Sequence, residues 1–173
     1  GRSPAKPGSL MTRQYEAPRR TDTALTISVN PDDYMDAQEF ELAVSVHASI
    51  GVQCLQQGRP VTAHAGSSHT TPRDATAFLD DCSAIDPDAS DNPNLAQATL
   101  EHAADASFYF FTVGRFKAID DIKHMTLALP RSATCVVLQT ASGQPRAIKR
   151  YPDFTLATVG DLDDLPMIMG VLA

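Results

Sequence analysis

The chain lacks tryptophan and has only three cysteines among its 173 residues. Because Cys54, Cys82 and Cys135 are odd in number, widely spaced and without a C-x-x-C pair, they exclude a disulfide framework and a zinc knuckle. This usage favours a reducing compartment. Cys54 and Cys135 lie in apolar segments and are predicted to be core residues. Cys82 follows Asp80 and Asp81, whose charges disfavour a reactive thiolate.

Long apolar runs and an excess of basic residues are also missing. No segment approaches the roughly 20 apolar residues that span a bilayer, and the formal net charge is −7. We do not expect nucleic acid binding, because contact with phosphates depends on clustered Lys and Arg. The beginning of the chain differs from the rest, since only Glu16 opposes its basic residues there: Arg2, Lys6, Arg13, Arg19 and Arg20.

Several motifs of cofactor and catalytic chemistry are absent from the sequence. It contains neither G-x-G-x-x-G nor G-x-x-x-x-G-K-[ST], which disfavours nucleotide binding through a phosphate loop, and no G-x-S-x-G nucleophile elbow. The histidines form no H-x-x-x-H pair. His47 is predicted to be a core residue, and zinc at His64 with His69 is disfavoured. No cofactor is therefore predicted.

Apolar periodicity predicts an α/β domain. The clearest helix begins at the cap Asp36, with Glu39 three residues later, and ends at Gly58. Strands that alternate with helices predict a doubly wound, mostly parallel sheet with helices on both faces. The other predicted elements are strands at residues 24–29, 60–65, 108–113, 133–140 and 154–159, and helices at 72–82, 93–103 (capped by Asn92), 116–129 and from 161. Loops are predicted at residues 66–72 and around Arg146, Lys149 and Arg150.

The predicted organisation has two parts. Residues 1–22 form a basic arm with an edge strand at residues 10–16, and residues 23–173 form a single α/β domain. In such a sheet, ligands bind in the loops at the carboxyl ends of the strands. The loop from Asn30 to Tyr34 follows the first strand of the domain and is therefore the first place to look for a site.

A second loop is rich in carboxylates. Residues 86–90 begin like a calcium loop, but Asp91 stands at the sixth position, where glycine is needed, and Gln97 at the twelfth, where a bidentate Glu is needed. A solvated loop is favoured. The alternative is a metal-dependent hydrolase that uses the whole acidic cluster: Asp80, Asp81, Asp86, Asp88 and Asp91.

Residues 2–16, RSPAKPGSLMTRQYE, followed by a strand, resemble the bacterial "domain of unknown function fifty-eight" family. Its signature is a serine-alanine-lysine-glycine-leucine pattern before an arginine-aromatic-glutamate strand. The resemblance implies a von Willebrand factor A-like fold without established enzymatic activity. It also implies a MoxR-type AAA+ ATPase as partner, and a cytoplasmic domain tethered to the cell membrane by spans upstream of Gly1. The basic arm would then lie close to that membrane.

The same resemblance implies a degenerate metal site. Metal-binding von Willebrand A domains use an Asp-x-Ser-x-Ser loop, a threonine near a later helix and an aspartate after the fourth strand. Here Asn30, Asp32 and Tyr34 replace the three loop ligands, so only Asn30 and Asp32 stay as weak metal candidates. The other two positions fall at Pro93 or Asn94 and at Val113-Gly114.

The leading hypothesis is a non-enzymatic protein-interaction domain that docks its partner at the strand ends. Tyr34 and Arg115 are residue types found at interface anchors and are expected to be exposed. A purely structural domain is a further alternative. The predicted partner-binding residues are Asn30, Asp32, Tyr34, Asn94 and Arg115.

Overall fold

The computed structural model describes residues 22–172 and contains one seven-stranded sheet. The predicted arm and edge strand lie outside the described residues, apart from Asp22. The strands are β1 (Thr23–Ile27), β2 (Val61–Ala65), β3 (Ser68–Thr70), β4 (Phe108–Gly114), β5 (Thr134–Thr140), β6 (Ala147–Arg150) and β7 (Thr155–Val159). The α-helices are α1 (Ala37–Gln56), α2 (Ala75–Ser83), α3 (Leu95–His102), α4 (Ile119–Thr126) and α5 (Leu165–Leu172).

The sheet order is β3-β2-β1-β4-β5-β7-β6. The five inner strands pair in parallel, as predicted, and an antiparallel strand closes each edge. Both edge strands were predicted as loops, and those predictions are wrong. β3 and β6 are short and mostly exposed, so they lack the continuous apolar run that identifies a buried strand.

Helix α1 begins and ends where its sequence predicts. The carboxylate of Asp36 accepts a hydrogen bond from the Glu39 backbone N–H at 2.8 Å, and Gly58 follows the helix with a positive φ of 75°. Val46 lies on this helix and is fully buried. The predicted bounds of α1 are therefore confirmed, and the helix buries one side against the core while residues such as Glu41 and Gln53 are exposed.

The start of α3 differs from its prediction. The helix begins at Leu95 rather than at Pro93. The Asn92 side chain does not cap it but accepts a hydrogen bond from the Asn94 backbone N–H at 2.9 Å. This short Asn turn uses the side chain that the prediction had assigned to the helix cap.

Helices cover both faces of the sheet, as the doubly wound prediction requires. Leu25 points to the face covered by α1, α2 and α5, where it packs in one cluster with Val46 and Ile168. Its neighbour Ala24 points to the opposite face and packs with Ile122 of α4. This alternation buries the central strand on both sides. In residues 22–172, no helix is both long and apolar enough to cross a bilayer.

Candidate functional site

The loop after β1 folds back onto the end of its own strand. Asn30 caps a 3-10 turn at Pro31–Asp33 by accepting a hydrogen bond from the Asp32 backbone N–H at 3.0 Å. Ser28 donates to the Asp33 carboxylate at 2.6 Å, and the Tyr34 hydroxyl donates to the Ser28 carbonyl at 2.7 Å. These bonds turn Tyr34 inward and leave Asp32 exposed at the tip of the loop.

The loop after β1 packs directly against Gly114, at the end of β4. A Cβ atom built on Gly114 would lie 2.0 Å from the Asp33 carbonyl oxygen and 2.7 Å from the Tyr34 ring. The Phe116 backbone N–H donates to the same Asp33 carbonyl at 2.9 Å. The loop backbone therefore fills the space in which any larger residue at position 114 would place its side chain.

Glu39 joins three of the strand-end loops. Its carboxylate is fully buried and accepts hydrogen bonds from the backbone N–H groups of Met35, at 2.8 Å, and Ser142, at 3.1 Å. The Arg115 Nε donates to both carboxylate oxygens, at 3.0 and 3.1 Å, and its Nη2 donates to the Ser142 carbonyl at 2.9 Å. The loops after β1, β4 and β5 are thus held together by one buried ion pair.

Lys117 adds a link to the segment before α3. It is buried, and its ammonium group donates to the Pro93 carbonyl at 2.6 Å. Gln139 of β5 donates to the carbonyls of Gly114 and Lys117, both at 3.2 Å. Asn94 directly follows Pro93 and is exposed, so these bonds bring it to the same edge of the sheet.

The structure gathers the predicted partner-binding residues at one edge but changes the role of two of them. Tyr34 is only 4% exposed, and burial raises the pKa of its hydroxyl well above the ordinary value, with a further contribution from Asp33. Arg115 is half-buried and is paired with Glu39. The expectation that Tyr34 and Arg115 are exposed anchors is therefore wrong, because each side chain satisfies a polar group inside the domain.

Two exposed apolar residues at this edge were missed. Met35 is 50% exposed and Phe116 is 60% exposed. Phe116 was predicted to be the first residue of a helix, whereas α4 begins only at Ile119. The signal that identifies both side chains is their position immediately beyond a strand-end turn, where a core-facing helix has not yet begun.

Three carboxylates of the acidic cluster that the alternative hydrolase hypothesis would use make separate hydrogen bonds. Asp91 accepts a hydrogen bond from the Val29 backbone N–H at 3.0 Å, and Asp81 accepts one from the Thr70 hydroxyl at 3.0 Å. Asp88 bonds to both the backbone and the side chain of Ser90. Within residues 22–172, no three or more His, Cys, Asp or Glu side chains converge in an arrangement that could hold a metal ion.

Three histidines meet on the face of the sheet that carries α3. His64 Nε2 lies 3.3 Å from His102 Nδ1, and the rings of His69 and His102 stack with centroids 3.6 Å apart. Burial, with the nearby His102 and His69, lowers the pKa of His64 to about 4. His47 lies on α1 and is buried, as predicted.

The three cysteines are buried with free thiols. Burial raises the pKa of Cys135 to about 12, and burial together with Asp81 raises that of Cys82 to about 12. The pKa of Cys54 is also raised by burial. These thiols stay protonated at neutral pH, which disfavours a nucleophilic role.

The sheet and its two helical layers define an α/β fold of the von Willebrand factor A type. The solved structure "von Willebrand factor type A from Catenulispora acidiphila" matches with a TM-score of 0.56 and 9% sequence identity over 88% of this chain. The chain spans 42% of the length of that protein. At such identity the likeness shows the fold alone.

No protein-family model matches the chain, and no curated protein matches it either. The resemblance of residues 2–16 to the "domain of unknown function fifty-eight" family therefore stays a prediction. These residues also lie outside the part of the chain that the structure describes.

Proposed function

We propose that this domain is a non-enzymatic, metal-independent interaction module that binds a protein partner at the carboxyl edge of its sheet. The exposed side chains at this edge form the docking surface, and the observation that carries the proposal is the exposure of Phe116 and Met35 on it. The docking surface consists of Asn30, Asp32, Met35, Asn94 and Phe116.

The support for this surface is rigidity combined with exposed apolar area. Met35 is bonded through its backbone N–H to Glu39, and Phe116 through its backbone N–H to Asp33. Neither backbone segment needs to order itself on binding, which lowers the entropic cost of association. Large apolar side chains with polar neighbours such as Asn30 and Asp32 are the usual composition of an interface centre and its rim.

The arrangement of the loop supports metal independence. The Asn30 side-chain oxygen is used by the 3-10 turn, Tyr34 is buried, and Gly114 contributes no ligand where the metal-binding relatives carry an aspartate. Only Asp32 retains an exposed carboxylate there. One carboxylate is a poor site for magnesium, which demands near-octahedral oxygen coordination.

A thermal unfolding experiment tests the metal proposal. Saturating magnesium or manganese should leave the melting temperature unchanged, whereas a true site at 100 times its dissociation constant would add about 2.7 kcal/mol. A reproducible upward shift that disappears in the Asp32→Ala variant would overturn it.

We further propose that the partner is a MoxR-type AAA+ ATPase, and that the domain is tethered to the inner face of the cell membrane. This part rests on the sequence resemblance alone. Together, the two proteins would assist the assembly or maturation of other proteins.

The docking surface and the partner are tested separately. Phe116→Ser and Met35→Ser should weaken capture of the ATPase at least about tenfold without lowering the melting temperature, because exposed side chains contribute little to stability. Leu127→Ser is the matched control, since Leu127 is 66% exposed and follows α4, away from the strand ends. Wild-type affinity in a variant that carries both Phe116→Ser and Met35→Ser would refute the proposed docking surface. If the intact proteins form no complex, with or without nucleotide, the ATPase is not the partner.

A further inference from the structure

A cleft of about 600 Å³ lies beside the docking surface, between the β2–β3 hairpin, α2 and the acidic loop. Two hydrogen bonds fix this loop to the end of β1: the Asp88 backbone N–H donates to the Val29 carbonyl at 2.8 Å, and the Val29 N–H donates to Asp91 at 3.0 Å. The volume falls within the range of small-molecule sites. The cleft is therefore a preformed feature of the fold.

The lining of the cleft combines apolar and acidic groups. Phe78 and Ile85 are apolar residues of the lining, and Asp81, Asp86 and Asp88 are its acidic residues. The lining also includes three histidines: His47, His64 and His69. Among the described residues that line it, none is Lys or Arg. A ligand with a positive charge and an aliphatic part matches both kinds of surface.

His47 provides an independent indication of a ligand. Its side chain lines the cleft, is 2% exposed and touches the Phe78 ring with centroids 5.6 Å apart. Within the described residues it makes no hydrogen bond. Burial lowers the pKa of His47 to about 3, with a smaller contribution from His64, so the imidazole is neutral at physiological pH. A neutral imidazole offers a lone pair to an N–H donor and does not repel a cation.

We propose that this cleft binds a small aliphatic amine with more than one ammonium group. The carboxylates of Asp81, Asp86 and Asp88 attract the charged groups, the aliphatic part lies against Phe78 and Ile85, and His47 accepts a hydrogen bond from the ligand. More than one ammonium group is favoured because three aspartates line the cleft and no Lys or Arg lies among its described lining residues. This site shares no residue with the docking surface, so the diamine proposal is tested independently of partner binding.

Calorimetric titration of the folded protein with the diamine putrescine tests the proposal. We expect saturable binding to one site, and no binding of the neutral diol with the same carbon chain. The double variant Asp86→Asn/Asp88→Asn should bind the diamine at least about tenfold more weakly, because each carboxylate supplies a charge-assisted hydrogen bond. The matched control is Asp120→Asn/Asp121→Asn, which removes two exposed charges at the start of α4 and should bind like the wild type.

Two further variants probe the interior of the cleft. His47→Gln should weaken binding, and Ser68→Lys should abolish it by placing an ammonium group in the cleft from the exposed strand β3. Because Ser68 is exposed, this variant still tests the cleft if the His47 variant does not fold. Equal binding of diamine and diol, or unchanged affinity in Asp86→Asn/Asp88→Asn, would overturn the proposal. Saturable magnesium binding at these carboxylates, without diamine binding, would also overturn it.

Discussion

Replacing Arg115 by alanine tests the buried ion pair that joins the strand-end loops. The substitution leaves the Glu39 carboxylate fully buried without its charged partner, although the backbone N–H groups of Met35 and Ser142 still donate to it. A buried charge that loses its partner is strongly destabilising because water cannot replace the lost interaction. We therefore expect Arg115→Ala to lower the free energy of unfolding.

The burial of Glu39 and Arg115 sets the expected loss of unfolding free energy in Arg115→Ala. Removing one partner of a buried ion pair costs about 3–5 kcal/mol. The lower end applies here, because Arg115 is 21% exposed in its side chain and two N–H donors stay with Glu39. A loss of about 3 kcal/mol is a large part of the roughly 5–15 kcal/mol that stabilises a typical domain. In a domain of this size it lowers the melting temperature by about 6–12 °C.

Urea unfolding monitored by circular dichroism measures this loss, with Arg131→Ala as the matched control. Arg131 is exposed, so its replacement should change stability by less than about 0.5 kcal/mol. The loss in Arg115→Ala should persist at high salt, since a buried pair is poorly screened. A stability change as small as that of the control would refute the assigned role of the pair.

Three other substitutions probe the core, the contact of the loop after β1 with Gly114, and the buried histidine. Val46→Asp buries an unpaired charge in α1 and should prevent soluble expression; a folded variant with normal stability would contradict the burial of Val46. Gly114→Ala forces the Asp33 backbone to move and should lower the free energy of unfolding in urea by about 1–3 kcal/mol. Unchanged stability would show that the loop is not tightly packed against position 114. Because the pKa of His47 falls from its ordinary 6.5 to about 3 in the folded state, the unfolded chain binds more protons below pH 6.5. The stability contribution of a neutral His47 is therefore complete above that pH and declines by roughly 2 kcal/mol by pH 5. His47→Phe should flatten this decline relative to the wild type, and parallel pH profiles would exclude the effect.

The sequence by itself determined the elements that are specified by local spacing. The apolar period and the Asp36 cap define α1, and the continuous apolar run at residues 108–113 identifies β4, because both patterns repeat over a few residues along the chain. The alternation of such elements then predicts the parallel doubly wound sheet. The short strands β3 and β6 escaped prediction, since pairing with a neighbouring strand, rather than their own composition, defines them.

The candidate site depended on contacts that no local pattern encodes. Glu39 and Arg115 are 76 residues apart in the chain, and their pairing follows from the meeting of two loops at one sheet edge. Because the two loops are in contact, Arg115 pairs with Glu39 inside the domain and is not an exposed anchor. Phe116 is the exposed side chain there. The cleft around His47 has the same origin, because its carboxylates come from α2 and the following loop while the imidazole comes from α1. Only tertiary packing decides which polar groups are satisfied internally and which are left for a ligand or partner.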